Sequence, residues 1–176
     1  MAKTIYFVAS SMDGYIADAR GGLAWLTQFE GADGVREHYE SFLAAIGAIM
    51  MGAETYAFLL SHGGPWPYPS LPTWVFTRRT FEGPSGADVR FVAGDVASHA
   101  SNVTQSAGGR NVWLCGGGAL AAQVVRAGLL DEIHLGIAPV VLGSGVPVLP
   151  TPIGPMTRTQ ITELGRGFVE IRYSLR

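Results

Sequence analysis

The segment NVWLCGGGALAAQVVRA, residues 111–127, passes from a short apolar strand through three glycines into an amphipathic helix. Val112, Trp113, Leu114 and Cys115 form a run short enough for a strand buried on both faces, and Leu120, Val124 and Val125 recur at helical spacing. Where the strand gives way to the helix, the first backbone N–H groups lack partners and carry the positive end of the helix dipole. An anion such as a pyrophosphate is favoured there. Gly116, Gly117 and Gly118 have no Cβ and let a ligand approach the main chain. The run is GGGAL, not the dinucleotide fingerprint G-x-G-x-x-G, so two readings stand: a nucleotide-phosphate site, or a tight turn that needs glycine for packing.

Upstream, the same grammar appears in Ala48–Met51 (AIMM), Gly52 and the helix-forming AETYAFLL, which places Glu54, Thr55 and Tyr56 in a first helical turn. Thr4–Ala9 (TIYFVA) reads as a central strand, leading into SSMDGYIADARGG. Asp13-Gly14 there is a turn signal, and Gly21-Gly22 suggest a loop mobile enough to close over a site. Trp25, Leu26 and Phe29 form an apolar patch, and Asp33 is placed to cap a helix whose apolar face carries Val35, Tyr39, Phe42, Leu43 and Ile46. Arg36 and Glu40, four residues apart on one flank, read as an exposed ion pair. Residues 62–72, HGGPWPYPSLP, exclude regular structure and leave Trp66 and Tyr68 to cover either the core or a ligand.

Thr73–Thr77 is a further strand, followed by Arg78-Arg79-Thr80, either a phosphate-binding cluster or a solvated basic turn. Val89–Val92 is a short strand, and Asp95 caps a helix over Val96–Ser106. Past the opening segment, Asp131–Pro139 alternates into a strand, and Val140–Leu149, broken by Gly143, Gly145 and Pro147, reads as an irregular loop. Arg158–Leu164 and Phe168–Leu175 form a hairpin around Gly165-Arg166-Gly167. Strands that alternate with helices and end in a hairpin predict one α/β domain over residues 1–176: a mostly parallel central sheet flanked by helices, with an antiparallel C-terminal hairpin.

The composition is 48% hydrophobic and 15% charged with a net charge of −2, which argues against disorder and against an electrostatic nucleic-acid partner. Cys115 is the only cysteine, so no internal disulfide and no cysteine zinc site is expected. The apolar stretch near the start is too short for a signal-peptide core or a membrane span, and a cytoplasmic protein without a membrane partner is expected. His38, His62, His99 and His134 show no metal-ligand spacing, and no G-x-S-x-G elbow surrounds a serine. A nucleotide site without a protein nucleophile or metal suits hydride transfer, in which the cofactor carries the reaction and the protein orients it.

VASSMDGYIA, IMMGAETY, TWVFTRR, NVWLCGGGALAAQVV and DEIHLGIAPVVLGSG, in this order, resemble the dihydrofolate reductase-like family, and most closely its branch containing the reductase domain of bacterial riboflavin biosynthesis. The resemblance spans nearly the whole chain. It implies an NADPH-binding fold in which Gly116, Gly117, Gly118, Ala119 and Leu120 cradle the pyrophosphate. Gly52, Ala53, Glu54 and Thr55 then bind the nucleotide from the other side, Thr77, Arg78 and Arg79 meet the adenosine and 2′-phosphate, and Ala9 and Ile16 flank the nicotinamide. Folate reductases carry a basic residue at the position of Ala53 and an acid on the first helix where Arg36 stands, so folate is a poor candidate substrate. The resemblance turns the Arg36 and Glu40 flank toward the substrate, and an arginine there suits an anionic one. Asp13, Glu40 and water are the candidate proton sources. The expected function is NADPH-dependent reduction of a C=N or C=O group in a small molecule, with a nucleotide-binding module without turnover as the alternative. A homodimer that covers the C-terminal hairpin and the Val140–Leu149 loop is also expected.

Overall fold

The computed structural model describes residues 2–175. In chain order the elements are β1 (Thr4–Ser11), β2 (Tyr15–Asp18), α1 (Ala24–Thr27), α2 (Val35–Ala44), β3 (Ile46–Gly52), α3 (Ala53–Ser61), β4 (Thr73–Phe76) and β5 (Val89–Val92). Then come α4 (Val96–Ser106), β6 (Asn111–Gly116), α5 (Gly118–Arg126), β7 (Glu132–Ala138), β8 (Gly145–Pro147), β9 (Thr157–Glu163) and β10 (Val169–Ser174). The main sheet runs β5-β4-β3-β6-β1-β7-β10-β9. Neighbours from β5 to β7 are parallel, and β10 pairs antiparallel with both β7 and β9, so the α/β architecture with its C-terminal hairpin is as the sequence predicts.

Two apolar layers cover the sheet. One face packs Val96 and Val103 of α4 and Leu120, Ala121 and Val124 of α5 against Tyr6, Met50 and Leu114. The other packs Phe42 of α2 and Tyr56 of α3 against Ile5, Ile49, Met51 and Trp113. Strands buried on both faces carry the near-continuous apolar runs seen in β3 and β6. Asp95 caps α4 by accepting the Ala97 N–H at 3.2 Å. Trp66 and Tyr68 cover the core: Trp66 tilts against Tyr56, and Tyr68 meets Trp113 edge-on at 5.3 Å.

The structure corrects three expectations. Asp33 does not cap α2; Gly34, at φ 78°, occupies the cap position, which leaves α2 without a side-chain acceptor. The segment after Asp13 is not a free loop, because Tyr15–Asp18 forms β2 and pairs antiparallel with β8. The same pairing gives strand character to part of Val140–Leu149. Gly145 permits it, since a Cβ there would stand 2.1 Å from the Ala17 carbonyl oxygen. Along the C-terminal edge, β9 is exposed for most of its length and mainly polar, with Ile161 its large exposed apolar residue; Val141 in the loop and Val146 on β8 are also exposed.

Candidate active site

The carboxyl ends of β3 and β6 lie side by side in mid-sheet, with Met51 opposite Gly116. Each strand turns directly into a helix, Gly52 capping α3 and Gly117 capping α5, and neither cap offers a side-chain acceptor. From β3 the chain runs outward to β4, and from β6 it runs the other way past β1 to β7. The helices α3 and α5 consequently lie on opposite faces, and a crevice opens outside the strand ends, where open α/β sheets bind ligands. Two helix N-termini meet there, each favourable to anions.

The glycines at this edge have different jobs. Gly116 adopts φ 132°, a conformation that side chains rarely take, and its peptide bond to Gly117 is cis. Gly118 is required by packing, because a Cβ would stand 2.4 Å from the Pro147 carbonyl oxygen. At Gly117 the protein makes no such demand: a Cβ would meet nothing nearer than Ile16 Cδ1 at 3.8 Å and Thr55 Oγ1 at 3.9 Å. This leaves open space over a main-chain position between two helix starts, bordered by Thr55 and Ile16, where an anion would meet unpaired N–H groups.

At the outer end of this edge, Arg79 Nη1 donates to Glu54 Oε1 at 2.6 Å, tying the turn after β4 to the first turn of α3. The Arg79 guanidinium also lies over the Phe81 ring. Thr77 Oγ1 accepts the Arg79 N–H at 2.8 Å, which orders the turn carrying Arg78. Glu54, Thr77, Arg78 and Arg79 thus form one polar rim.

A second feature opens on the α2 face of β1, β7 and β10, a cleft of about 580 Å³. Its floor follows the strand register, with Ala9 beside Gly136 and Gly136 beside Glu170. Its walls include Phe7, Phe29, Tyr39, Tyr68 and Phe168. Gly136 makes room for Phe168, whose ring would lie 2.7 Å from a Cβ at that position. Glu170, buried to 1% exposure, accepts from Arg172 Nε at 2.6 Å, and His38 Nε2–H donates to its other oxygen at 2.7 Å. The Tyr39 and Tyr68 hydroxyls, 2.9 Å apart, close one side, and burial raises both phenol pKa values.

The RibD C-terminal domain model matches residues 69–169. The uncharacterized protein YwjB of Bacillus subtilis (strain 168) is 30% identical over 146 residues, which cover 83% of this chain and 82% of YwjB. The chain belongs to the RibD C-terminal domain family. A putative riboflavin biosynthesis protein from Shewanella sp. PV-4 shares this domain's structure with a TM-score of 0.83 at 27% identity, over 99% of this chain and 98% of that one. A diaminohydroxyphosphoribosylaminopyrimidine deaminase/5-amino-6-(5-phosphoribosylamino)uracil reductase from Thermotoga maritima gives 0.68 at 16% identity, over 98% of this chain but 56% of its own, a likeness of fold. The family is reductase-like.

Within this RibD-type domain, Gly52–Thr55 and Gly116–Leu120 converge with Ile16 at the crevice, while Ala9 lies on the cleft floor. The two acids singled out from sequence lie elsewhere. Asp13 is exposed, and its carboxylate accepts the N–H groups of Leu142 at 3.1 Å and Gly143 at 2.7 Å. The Ser11 hydroxyl and these loop N–H groups hold its carboxyl below the usual carboxylate range. Glu40 accepts from Arg36 Nε at 2.9 Å on the outer flank of α2; Arg36 reaches the cleft rim and Glu40 does not line it. Sequence reasoning missed His38 and Glu170, the polar pair set in the cleft wall. Among the described residues, no group of three or more His, Cys, Asp and Glu side chains is placed to hold a metal ion, and no helix is long and apolar enough to cross a membrane.

Proposed function

We propose that this chain is an NADPH-dependent reductase that reduces a C=N or C=O group of a small molecule held in the α2 cleft. The observation that carries this reading is the space over Gly117, which packing leaves open between two uncapped helix starts. A reduced nicotinamide, when bound, supplies a hydride. The chain's own residues bind and orient: the first turns of α3 and α5 meet the pyrophosphate, Arg78 and Arg79 meet the 2′-phosphate, and Ile16 and Ala9 bound the nicotinamide end. The aromatic walls exclude water and align a flat substrate over Ala9.

His38 is the side chain best placed to handle the proton. Glu170 fixes its Nε2, and no described residue hydrogen-bonds its Nδ1, so an imidazolium there presents an N–H that can pass to a substrate nitrogen or oxygen. Asp13 already serves the 142–143 turn, and Glu40 lies outside the cleft.

The test is calorimetric titration with NADPH and NADH, followed by nucleotide consumption over a panel of imines and ketones. Binding with a preference for NADPH and turnover of one panel member is the expected result. Failure of both nucleotides to bind overturns the reading, and binding without consumption over the panel favours a nucleotide-binding module of the same fold.

A further inference from the structure

Two consecutive residues of α2 bring polar groups to the cleft. His38 and Tyr39 are about 100° apart around the helix axis, so their side chains leave it in different directions. Phe7, on the floor, has its ring centroid 6.3 Å from each of theirs. His38 turns to Glu170 on β10, whereas the Tyr39 hydroxyl meets that of Tyr68, 2.9 Å away. Packing fixes both phenols: Tyr68 meets Trp66 edge-on at 5.8 Å and Trp113 at 5.3 Å, and Tyr39 stacks on Phe7 and meets Trp113 edge-on at 6.1 Å. The pair carries two hydroxyl hydrogens and spends one of them between the oxygens. No described residue accepts the other. Tyr68 is only 9% exposed and Tyr39 is half-buried, so every buried hydrogen is paired when Tyr68 donates to Tyr39 and Tyr39 turns its own O–H to the cleft that both line. An O–H that accepts a hydrogen bond is itself a better donor. Burial raises both phenol pKa values above the ordinary 10, so both protons stay in place at neutral pH.

We propose that the Tyr39 hydroxyl, oriented by Tyr68, anchors a hydrogen-bond acceptor on a flat ring in the cleft, a carbonyl oxygen or an unprotonated ring nitrogen, and so selects ligands that carry one. Tyr39 touches the ligand; Tyr68 acts through Tyr39 and is a positioning residue. The ring lies against Phe7, and Ala9, two residues along β1 and ~7 Å away on the same face, is the low part of the floor. Anchoring one edge at Tyr39 fixes which part of the ring lies over Ala9. This rests on the proposed reductase function only in calling the ligand a substrate.

The probes 1-indanone and indane share one bicyclic skeleton and differ by a carbonyl. Titrating each into the protein without nucleotide, followed by amide NMR shifts, gives the ratio of the two dissociation constants. Tyr39→Phe removes the anchoring O–H and keeps the ring, and should lower the preference for 1-indanone by at least ~10-fold. Tyr68→Phe leaves Tyr39 its O–H without the bond that orients and polarises it, and should lower the preference by at least ~3-fold. Each variant loses one oxygen atom, and melting temperatures report folding; should one not fold, the other decides. The proposal is overturned if neither probe binds the wild type, if the ratio is unchanged in a folded variant, or if both affinities fall equally, which is what a packing role alone would give. NADPH titration of the same wild-type sample reads the reductase proposal separately, so failure of one is distinguishable from failure of the other.

Discussion

Substituting Gly117 and Gly118 one at a time by alanine separates a ligand cradle from a packing turn. At Gly118 the added Cβ would lie 2.4 Å from the Pro147 carbonyl oxygen and 2.9 Å from that of Val148, both backbone atoms. Relief requires the 147–150 loop to move, and overpacking of this kind costs about 1–3 kcal/mol. Gly118→Ala should therefore lower the melting temperature. At Gly117 the nearest protein atom to the new Cβ is 3.8 Å away, an ordinary van der Waals distance, and the residue's φ of −87° is open to alanine. Steric cost to the protein alone should be small. A pyrophosphate seated on both helix starts must approach this main chain closely, and the methyl would occupy that space. A loss of at least ~10-fold in affinity, about 1.4 kcal/mol, is expected; Gly117→Val, with a branched Cβ, should lose more. Circular dichroism gives the melting temperatures and calorimetry with NADPH the affinities. If Gly117→Ala melts with wild type and binds NADPH equally well, the open space is not a phosphate cradle and the crevice assignment is wrong.

Four further outcomes are expected. Replacing Arg78 and Arg79 together by glutamine should weaken NADPH by at least ~10-fold and NADH by less than ~2-fold, because the extra phosphate alone requires the rim's positive charge; equal losses in calorimetry would refute this. Burial lowers the His134 pKa below its ordinary 6.5 despite the hydrogen bond its Nε2–H donates to Glu132, with Arg172 also lowering it and Glu170 opposing. The unfolded chain then binds a proton that the native state does not, so stability is lost as pH falls through about 6.5, and His134→Phe should flatten the decline in melting temperature between about pH 7.5 and 5.5. Burial pushes the Cys115 thiol up to about 12. At pH 8 only ~10⁻⁴ of it is thiolate, and iodoacetamide should modify the urea-unfolded chain but spare the native one; rapid native labelling would contradict the burial. Gly136→Ala should displace Phe168 from the cleft wall and lower the melting temperature while NADPH affinity is unchanged; a loss of NADPH affinity in calorimetry would mean that cleft and crevice are not separable.

What the sequence revealed was what local chemistry encodes. The strand–glycine–helix units at Gly52 and Gly116–Gly118 were legible because a buried strand, a turn without Cβ atoms and an amphipathic helix each leave a pattern within a few residues. The Asp95 cap was legible for the same reason. The β2–β8 pairing was not, since it depends on contact between Gly145 and Ala17, and glycine in an apolar stretch reads first as a breaker. The cleft was hidden more thoroughly. Phe29 and Phe168, which look like separate apolar residues, meet with ring centroids 6.0 Å apart only once the hairpin folds onto the sheet. His38 and Glu170 are 132 residues apart in the chain. Their signals were present but weak: His38 falls on the apolar stripe of α2 between Val35 and Phe42, and the alternation of β10 places Glu170 on the inward side with Phe168. A charged residue at an inward strand position needs a partner, and that requirement was the one available pointer to the cleft.

The two halves of the candidate site are built by different parts of the sheet, and that division bears on how such a fold diversifies. The proposed nucleotide edge uses the ends of β3 and β6 with the helices that follow them, where the requirements are backbone ones: uncapped N–H groups and the absence of a Cβ at Gly117. The cleft floor instead uses side chains at paired positions on β1, β7 and β10, with α2 as its roof. Changing Glu170 alters the charge in the cleft wall and leaves the strand-end geometry in place, because β10 lies across β1 and β7 from the β3–β6 crevice, and His38 meets the cleft through its pairing with Glu170. Ala9 belongs to the cleft through its position on β1 and stands next to Gly136 in the register. A small residue there lets a flat ring lie close to the sheet, and its neighbour Gly136 keeps that floor low. Under the proposed function, substitutions along one cross-strand row would redirect the chemistry to different substrates without rebuilding the glycine edge.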